Sequence, residues 1–136
     1  MFETFLLPIL DKATRFFLKI SKNKGKLIFI GNGASASLAS HASTDFTKQA
    51  KIKSLAFNDH NLVTALANDY GYENWVSAAL DYYCEKKDAV IFISVSGNSP
   101  NLVKGLDYAK SHDILTFSLT GASISNYLNQ NSDHSI

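Results

Sequence analysis

The apolar positions near the start of the chain recur at steps of three and four: Phe5, Leu6, Ile9, Leu10, Ala13, Phe16, Phe17 and Ile20. That spacing predicts an amphipathic helix from Phe2 to Lys22, stopped at Gly25 after the basic Lys22 and Lys24. Its stripe of large side chains suits packing on the body of the domain and against a second subunit. Leu27-Ile28-Phe29-Ile30 then runs unbroken into Gly31-Asn32-Gly33. Continuous apolar runs suit strands covered on both faces, as in parallel sheets. Ala34 to Lys48 reads as a helix of mostly small residues, and Ser54 to Phe57 as a short strand. His60 to Ala67 reads as a helix ending in the loop Asn68-Asp69-Tyr70-Gly71-Tyr72. Asn74 is placed to cap a helix from Trp75 to about Cys84, with the cysteine buried in it. Ala89 to Ile93 is the clearest strand. Ser99 as N-cap and Pro100 at the first helical position start a helix to about Lys110. Ile114 to Leu119 reads as a fourth strand, and the polar stretch Asn129 to Ser135 carries no predicted element.

A helix followed by strand–helix alternation is an α/β pattern: a doubly wound parallel sheet flanked by helices, with a long N-terminal helix. No linker or repeat divides residues 1–136, so a single domain is expected.

Composition narrows the function classes. Of 136 residues, 46% are apolar and 18% charged, enough apolar surface for a core and a poor match to a disordered chain. Thirteen Lys and Arg against twelve Asp and Glu leave 13 − 12 = +1, which gives no electrostatic case for nucleic acid or an anionic membrane. No apolar run approaches the roughly 20 residues of a membrane span. Glu3 and Asp11 flank the first apolar residues, unlike a signal peptide. Cys84 is alone, so neither an internal disulfide nor a cysteine-based zinc site can form, and a reducing, cytoplasmic setting is expected.

Ligands of open α/β sheets bind beyond the carboxyl ends of the strands. Three such ends carry small polar residues: Gly31 to Ser35, Ser94 to Ser99, and Thr120 to Ser123. Glycine admits a ligand close to the backbone, and serine hydroxyls with the amides of a helix start bind phosphate. These loops hold no lysine or arginine, which favours a small sugar phosphate over a nucleotide polyphosphate; simple chain turning is the alternative. The first loop has neither the P-loop Gly-Lys-Ser/Thr nor the full Rossmann glycine spacing. His41 and Asp45 lie four apart, on one face of the helix that begins at the first loop. An imidazole and a carboxylate so placed form a surface hydrogen bond, or face the same pocket to bind zinc or move protons. Zinc needs at least one further ligand. Asn68 and Asp69 sit in their loop as turn formers or as ligand contacts. His60, His112 and His134 read as structural or surface, Tyr70, Tyr72 and Trp75 as packing or interface, and Cys84 as inert.

Four segments taken together resemble a known family: Ile30 to Ser35, Ala67 to Tyr72, Ile93 to Pro100, and Leu119 to Gly121. They look like the sugar isomerase (SIS) domain, and more narrowly its phosphoheptose isomerase branch. The likeness spans essentially the whole chain, the N-terminal helix included. The Ser-x-Ser-Gly-Asn-Ser stretch marks the broad superfamily. The Asn-Asp-Tyr-Gly-Tyr segment with the His-x-x-x-acid pair points to the heptose branch. The resemblance implies a homotetramer with active sites between subunits. It implies isomerisation of sedoheptulose 7-phosphate to a D-glycero-D-manno-heptose 7-phosphate, a precursor of bacterial surface sugars in lipopolysaccharide or capsule. By motif, Asn32, Gly33, Ala34, Ser35, Asn68 and Asp69 would contact substrate, and Ser94, Val95, Ser96 and Ser99 would hold its phosphate. His41 and Asp45 would be zinc ligands, the acid serving also as catalytic acid/base. The chain departs from the family at Asp45 (there Glu), Val95 (there Thr) and Ala34 (there Gly). The family also continues past the length of this chain with a further strand and a long helix, whose Gln and His have no counterpart here. Those departures leave two alternatives: a non-catalytic SIS module binding a sugar phosphate or a protein, and an isomerase of hexose or pentose phosphates.

Overall fold

The computed structural model describes residues 2–136, with side chains from residue 7 onward. Eleven elements follow in order: α1 (Phe2–Lys22), β1 (Leu27–Gly31), α2 (Ala34–Lys48), β2 (Ser54–Ala56), α3 (His60–Tyr70), α4 (Trp75–Tyr83), β3 (Ala89–Ser94), α5 (Pro100–Ser111), β4 (Leu115–Thr120), α6 (Tyr127–Asn131) and β5 (His134–Ser135). The five strands form one sheet in the order β2-β1-β3-β4-β5, every pairing parallel.

The unbroken apolar runs have the cause expected of them. Side chains alternate across a strand, and here both faces are covered. Ile28, Ile30, Val90 and Phe92 pack with Leu66, Trp75, Leu80, Leu102 and Leu106 of α3, α4 and α5. Leu27, Phe29, Ala89, Ile91 and Ile93 pack with Phe16, Ile20 and Ala39 of α1 and α2. Each of these large side chains contributes about 1.5–3 kcal/mol by leaving water. Small residues let α2 lie close on the sheet, with Ala39 and Ser43 buried. The α1 stripe is used as predicted from Ala13 to Ile20, while the side chains of Phe5 and Leu6 lie outside the described residues. Leu7, Leu10 and Leu18 remain exposed.

The structure corrects the sequence reading in four places. First, α3 continues through Asn68, Asp69 and Tyr70 and stops only at Gly71, because nothing in those residues breaks the helix. Its start is fixed by Asp59, whose carboxylate accepts from Asn61 N and Leu62 N at 3.0 and 3.1 Å. Second, Asn74 occupies the N-cap position of α4 without a side-chain capping bond. Its amide donates to Tyr70 O at 2.8 Å and accepts from Lys104 Nζ at 2.9 Å, tying α3 to α5. Third, Cys84 is the partly exposed residue that ends α4, not a residue within it. Burial still pushes its thiol up to about 12, which keeps it unreactive.

Fourth, the polar tail is folded. The Asp133 carboxylate accepts from Thr116 N and Thr116 Oγ1, both at 2.8 Å. That clamp lays His134 and Ser135 beside Phe117 and Ser118 as a fifth strand. His134 is therefore not a surface residue. Its ring stands edge-on to Phe16 at 5.0 Å between centroids, and its Nδ1 has no partner. Burial lowers its basicity, Lys12 and Lys19 add to this, and Asp133 opposes it. A histidine whose folded pKa lies below the unfolded value takes up fewer protons when folded. Stability therefore falls as pH drops through the ordinary range near 6.5, and the loss is complete below the folded value. Urea midpoints at pH 8 and pH 5 should show a loss in the native chain that shrinks in His134→Phe; an unchanged loss would refute this.

Among the described residues, no helix is long and apolar enough to cross a membrane.

Candidate functional site

From β1 the chain steps outward to β2, then returns to place β3 on the other side of β1. A crevice opens at such a reversal, beyond the carboxyl ends of the two strands. Gly31 and Ile93 are level across the β1–β3 pair, so both following loops leave the sheet together. Between them lies a cavity of about 300 Å³ lined by Asn32, Ala34, Ser35, Ser94, Ser96 and Ser99, with Val95 at its wall. The sequence-predicted residues of the first two loops, Gly33 excepted, are thus brought together.

The hydroxyls there are arranged as donors. Ser94 Oγ accepts from Gly97 N at 3.1 Å, and Ser96 Oγ accepts from Asn98 N at 3.3 Å. Each oxygen is engaged by an amide, so its own proton is left to give elsewhere. Ser99 stands at the N-cap of α5 but makes no capping bond, which frees a third hydroxyl. Ser35 supplies a fourth. The first turns of α2 and α5 both begin at this cavity, and helix starts favour negative charge. No lysine or arginine lines it. Val95, 71% exposed, offers no hydroxyl and forms a wall through its methyl groups.

The cavity's walls are fixed from behind. Val95 O accepts from Gly121 N and Ala122 N at 3.2 and 2.8 Å. Gly97 O accepts from Leu128 N at 3.0 Å, and Asn98 Oδ1 from Tyr127 N at 2.9 Å. The third loop, Thr120 to Ser123, lines neither cavity described here. It buttresses the serine loop, in keeping with the chain-turning alternative.

A second cavity, about 450 Å³, opens beyond β1 and β2 and is bordered by Gly33, Asn58, His60, Tyr72 and Trp75. Asn32 borders both cavities. Its carboxamide is paired twice with Asn101, Nδ2 to Oδ1 and Oδ1 from Nδ2, each at 2.9 Å. Asn101 is 1% exposed in the first turn of α5. Asn58 donates to Ser40 Oγ at 2.6 Å and to Ala36 O, holding α2 to the chain after β2. Sequence reasoning passed over both asparagines, since nothing in their local pattern distinguishes them from surface polar residues. Trp75 is buried as packing, as expected, while Tyr70 and Tyr72 are exposed.

His41 Nε2 and Asp45 Oδ2 are 3.2 Å apart on α2, as the spacing requires. Both are largely exposed and line neither cavity, so within one chain they do not face the ligand pocket. Asn68 and Asp69 are likewise exposed at the end of α3, joined by a 2.9 Å hydrogen bond, and line neither cavity. The described residues contain no group of three or more His, Cys, Asp or Glu side chains that could hold a metal ion. His41 and Asp45 offer two donors, and zinc takes at least three from protein. These residues by themselves do not fit a zinc ion.

The chain is similar in sequence and fold to known proteins. The family model described as SIS domain matches residues 7–121. The chain is 36% identical over 124 residues to "Phosphoheptose isomerase 2" of Campylobacter jejuni, covering 87% of this chain and 62% of that protein. It thus spans under two thirds of the length of that relative. The solved phosphoheptose isomerase GmhA of Neisseria gonorrhoeae superposes with a TM-score of 0.83 at 30% identity, over 90% of this chain and 67% of that one. An Escherichia coli CFT073 protein, solved in complex with a sugar phosphate, shares the fold with a TM-score of 0.67 at 23% identity, over 93% of this chain and 59% of that one.

Proposed function

Since the chain belongs to the SIS domain family, we propose that it is a sugar-phosphate aldose–ketose isomerase that converts sedoheptulose 7-phosphate to D-glycero-D-manno-heptose 7-phosphate. The observation that carries this is the uncharged cavity with hydroxyls of Ser35, Ser94, Ser96 and Ser99 at two helix starts. Such a site holds a phosphate by hydroxyls and amides, and the phosphate orients the reacting end of the sugar. Relatives named phosphoheptose isomerase support the heptose choice, and the Escherichia coli protein of the same fold was solved holding a sugar phosphate.

Isomerisation moves a proton between the carbons beside a carbonyl, and a carboxylate or imidazole is the base it needs. Asp45, held by His41, is that base in this reading. Both lie outside this chain's own cavities, as do Asn68 and Asp69, so they serve a pocket of a neighbouring copy. The expected homotetramer supplies that copy. Leu38 beside His41, and Leu7, Leu10 and Leu18 on α1, are the exposed apolar side chains it would cover. Site roles, assembly and a place in the cytoplasm are parts of this proposal.

One observation favours a second reading. The anion cavity is complete while the acid–base pair stands apart from it, as in a module that binds a sugar phosphate without turnover. Assay of the purified chain with sedoheptulose 7-phosphate, with and without added zinc, separates the two. Product that is lost in Asp45→Ala supports the isomerase. Calorimetric heat without product supports the binding module, and neither heat nor product refutes both.

A further inference from the structure

Asn32-Gly33 is the one Asn-Gly step in the sequence, and it lies where the two cavities meet. At such a step the backbone nitrogen of the glycine can attack the asparagine Cγ. A residue with a side chain would obstruct the approach. Gly33 is exposed, and a side chain placed there would meet no atom within 4 Å. The glycine itself is therefore open to solvent and uncrowded.

The asparagine is restrained in turn. Both polar atoms of its carboxamide are engaged by Asn101 at 2.9 Å, and Tyr72 Oη donates a longer bond of 3.4 Å to the same Oδ1. Asn101 is buried on α5 and cannot follow if Asn32 turns. For Cγ to reach the Gly33 nitrogen, the carboxamide has to leave both bonds and strand two buried polar groups of Asn101.

We propose that Asn32 is a site of spontaneous deamidation, that the buried Asn101 amide is the latch setting its rate, and that the conversion turns an anion-accepting cavity into an anion-rejecting one. The Gly33 nitrogen bonds to Asn32 Cγ and closes a succinimide. The Nδ2 group leaves with the displaced proton as ammonia. Water then opens the ring at either carbonyl and leaves an aspartate or an isoaspartate at position 32. One water is consumed, one ammonia released, and no oxidant or reductant takes part. The new carboxylate would face the oxygen of Asn101, acceptor against acceptor, so the pair cannot re-form. It would also stand beside four serine hydroxyls with no lysine or arginine to offset it.

The test follows conversion at each asparagine by peptide mass mapping during incubation at mildly alkaline pH. Asn101→Ala removes the latch, and Asn101→Asp keeps its size but gives up its donor. Conversion at position 32 should rise about tenfold or more in Asn101→Ala, the worth of two net hydrogen bonds, and less in Asn101→Asp. Asn98-Ser99 and Asn131-Ser132 are internal controls: acceleration there as well would mean general unfolding and would overturn the latch. So would an unchanged rate at position 32. The converted native chain, separated by ion exchange, is then titrated with inorganic phosphate beside the amide form. The converted form should bind about tenfold more weakly or worse. Equal binding overturns the consequence. Phosphate binding to neither form would overturn the consequence and the proposed function together, while the deamidation rates decide the latch separately.

Discussion

Gly97→Ala should destabilise the chain by about 2–4 kcal/mol and abolish phosphate binding at the serine loop. Two independent costs meet at this residue. Its φ is +64°, a region that an alanine occupies only with strain. A methyl group there would also overlap Asn126 Oδ1 and Cγ, and would lie 2.8 Å from Asn126 Cβ. Asn126 cannot step aside cheaply. It is 4% exposed, its amide donates to Thr120 Oγ1 at 3.0 Å and to Ser123 O, and its oxygen accepts from Asn129 N at 2.9 Å. Moving it would release α6 and with it the support of the Ser94–Ser99 loop. Urea unfolding reads the first effect and calorimetry with inorganic phosphate the second. A loss below about 0.5 kcal/mol, the range of a neutral surface change, would refute the account. Unaltered phosphate affinity would show that the loop keeps its form without Asn126.

This coupling between Gly97 and Asn126 explains what the sequence could not tell. The strands, the long helix and the two ligand loops were legible because they depend on local pattern: unbroken apolar runs, three- and four-residue steps, glycine and serine after a strand, proline after an N-cap. What escaped reading depends on pairs distant in the chain. Asn32 and Asn101 are 69 residues apart, and Thr116 and Asp133 are 17 apart. Each is an ordinary polar residue until the fold brings its partner. The polar tail looked structureless for that reason, though Asp133 fastens it to the sheet. Asn74 and Ser99 show the converse. Their positions at helix starts were readable, but neither caps its helix: Asn74 bonds Tyr70 O and Lys104 instead, and the Ser99 hydroxyl is left free. His41 and Asp45 met on one helix face as their spacing demanded. Spacing along a helix does not say which way that face points, and it points away from the chain's own pocket.

The two ends of the sheet also separate the second large effect from the site. Asp88→Ala should cost about 3–5 kcal/mol, a large share of the roughly 5–15 kcal/mol that holds a domain together. Asp88 is fully buried where β3 begins, at the end of the sheet opposite the ligand loops. Its carboxylate accepts from Lys26 N and Glu85 N, each at 2.8 Å, and pairs with the Lys26 ammonium. It thereby fastens the entry to β1 to the entry to β3. Alanine would leave two backbone donors unbonded, each costing about 1–3 kcal/mol, and a partly buried ammonium without its counter-charge. Asp88→Asn keeps the size but replaces one acceptor by a donor facing other donors, so it should recover only part of the loss. Because the serine cavity lies at the other end of the strands, phosphate affinity measured below the new midpoint should match the native chain within about twofold, as for distant sites whose effects add. Urea denaturation checks the first statement and calorimetry the second. A cost under about 1 kcal/mol would mean that Lys26 and Glu85 find water in place of the carboxylate. A parallel loss of affinity would mean that the sheet carries strain from one end to the other, and that stability and binding in this fold are not separable.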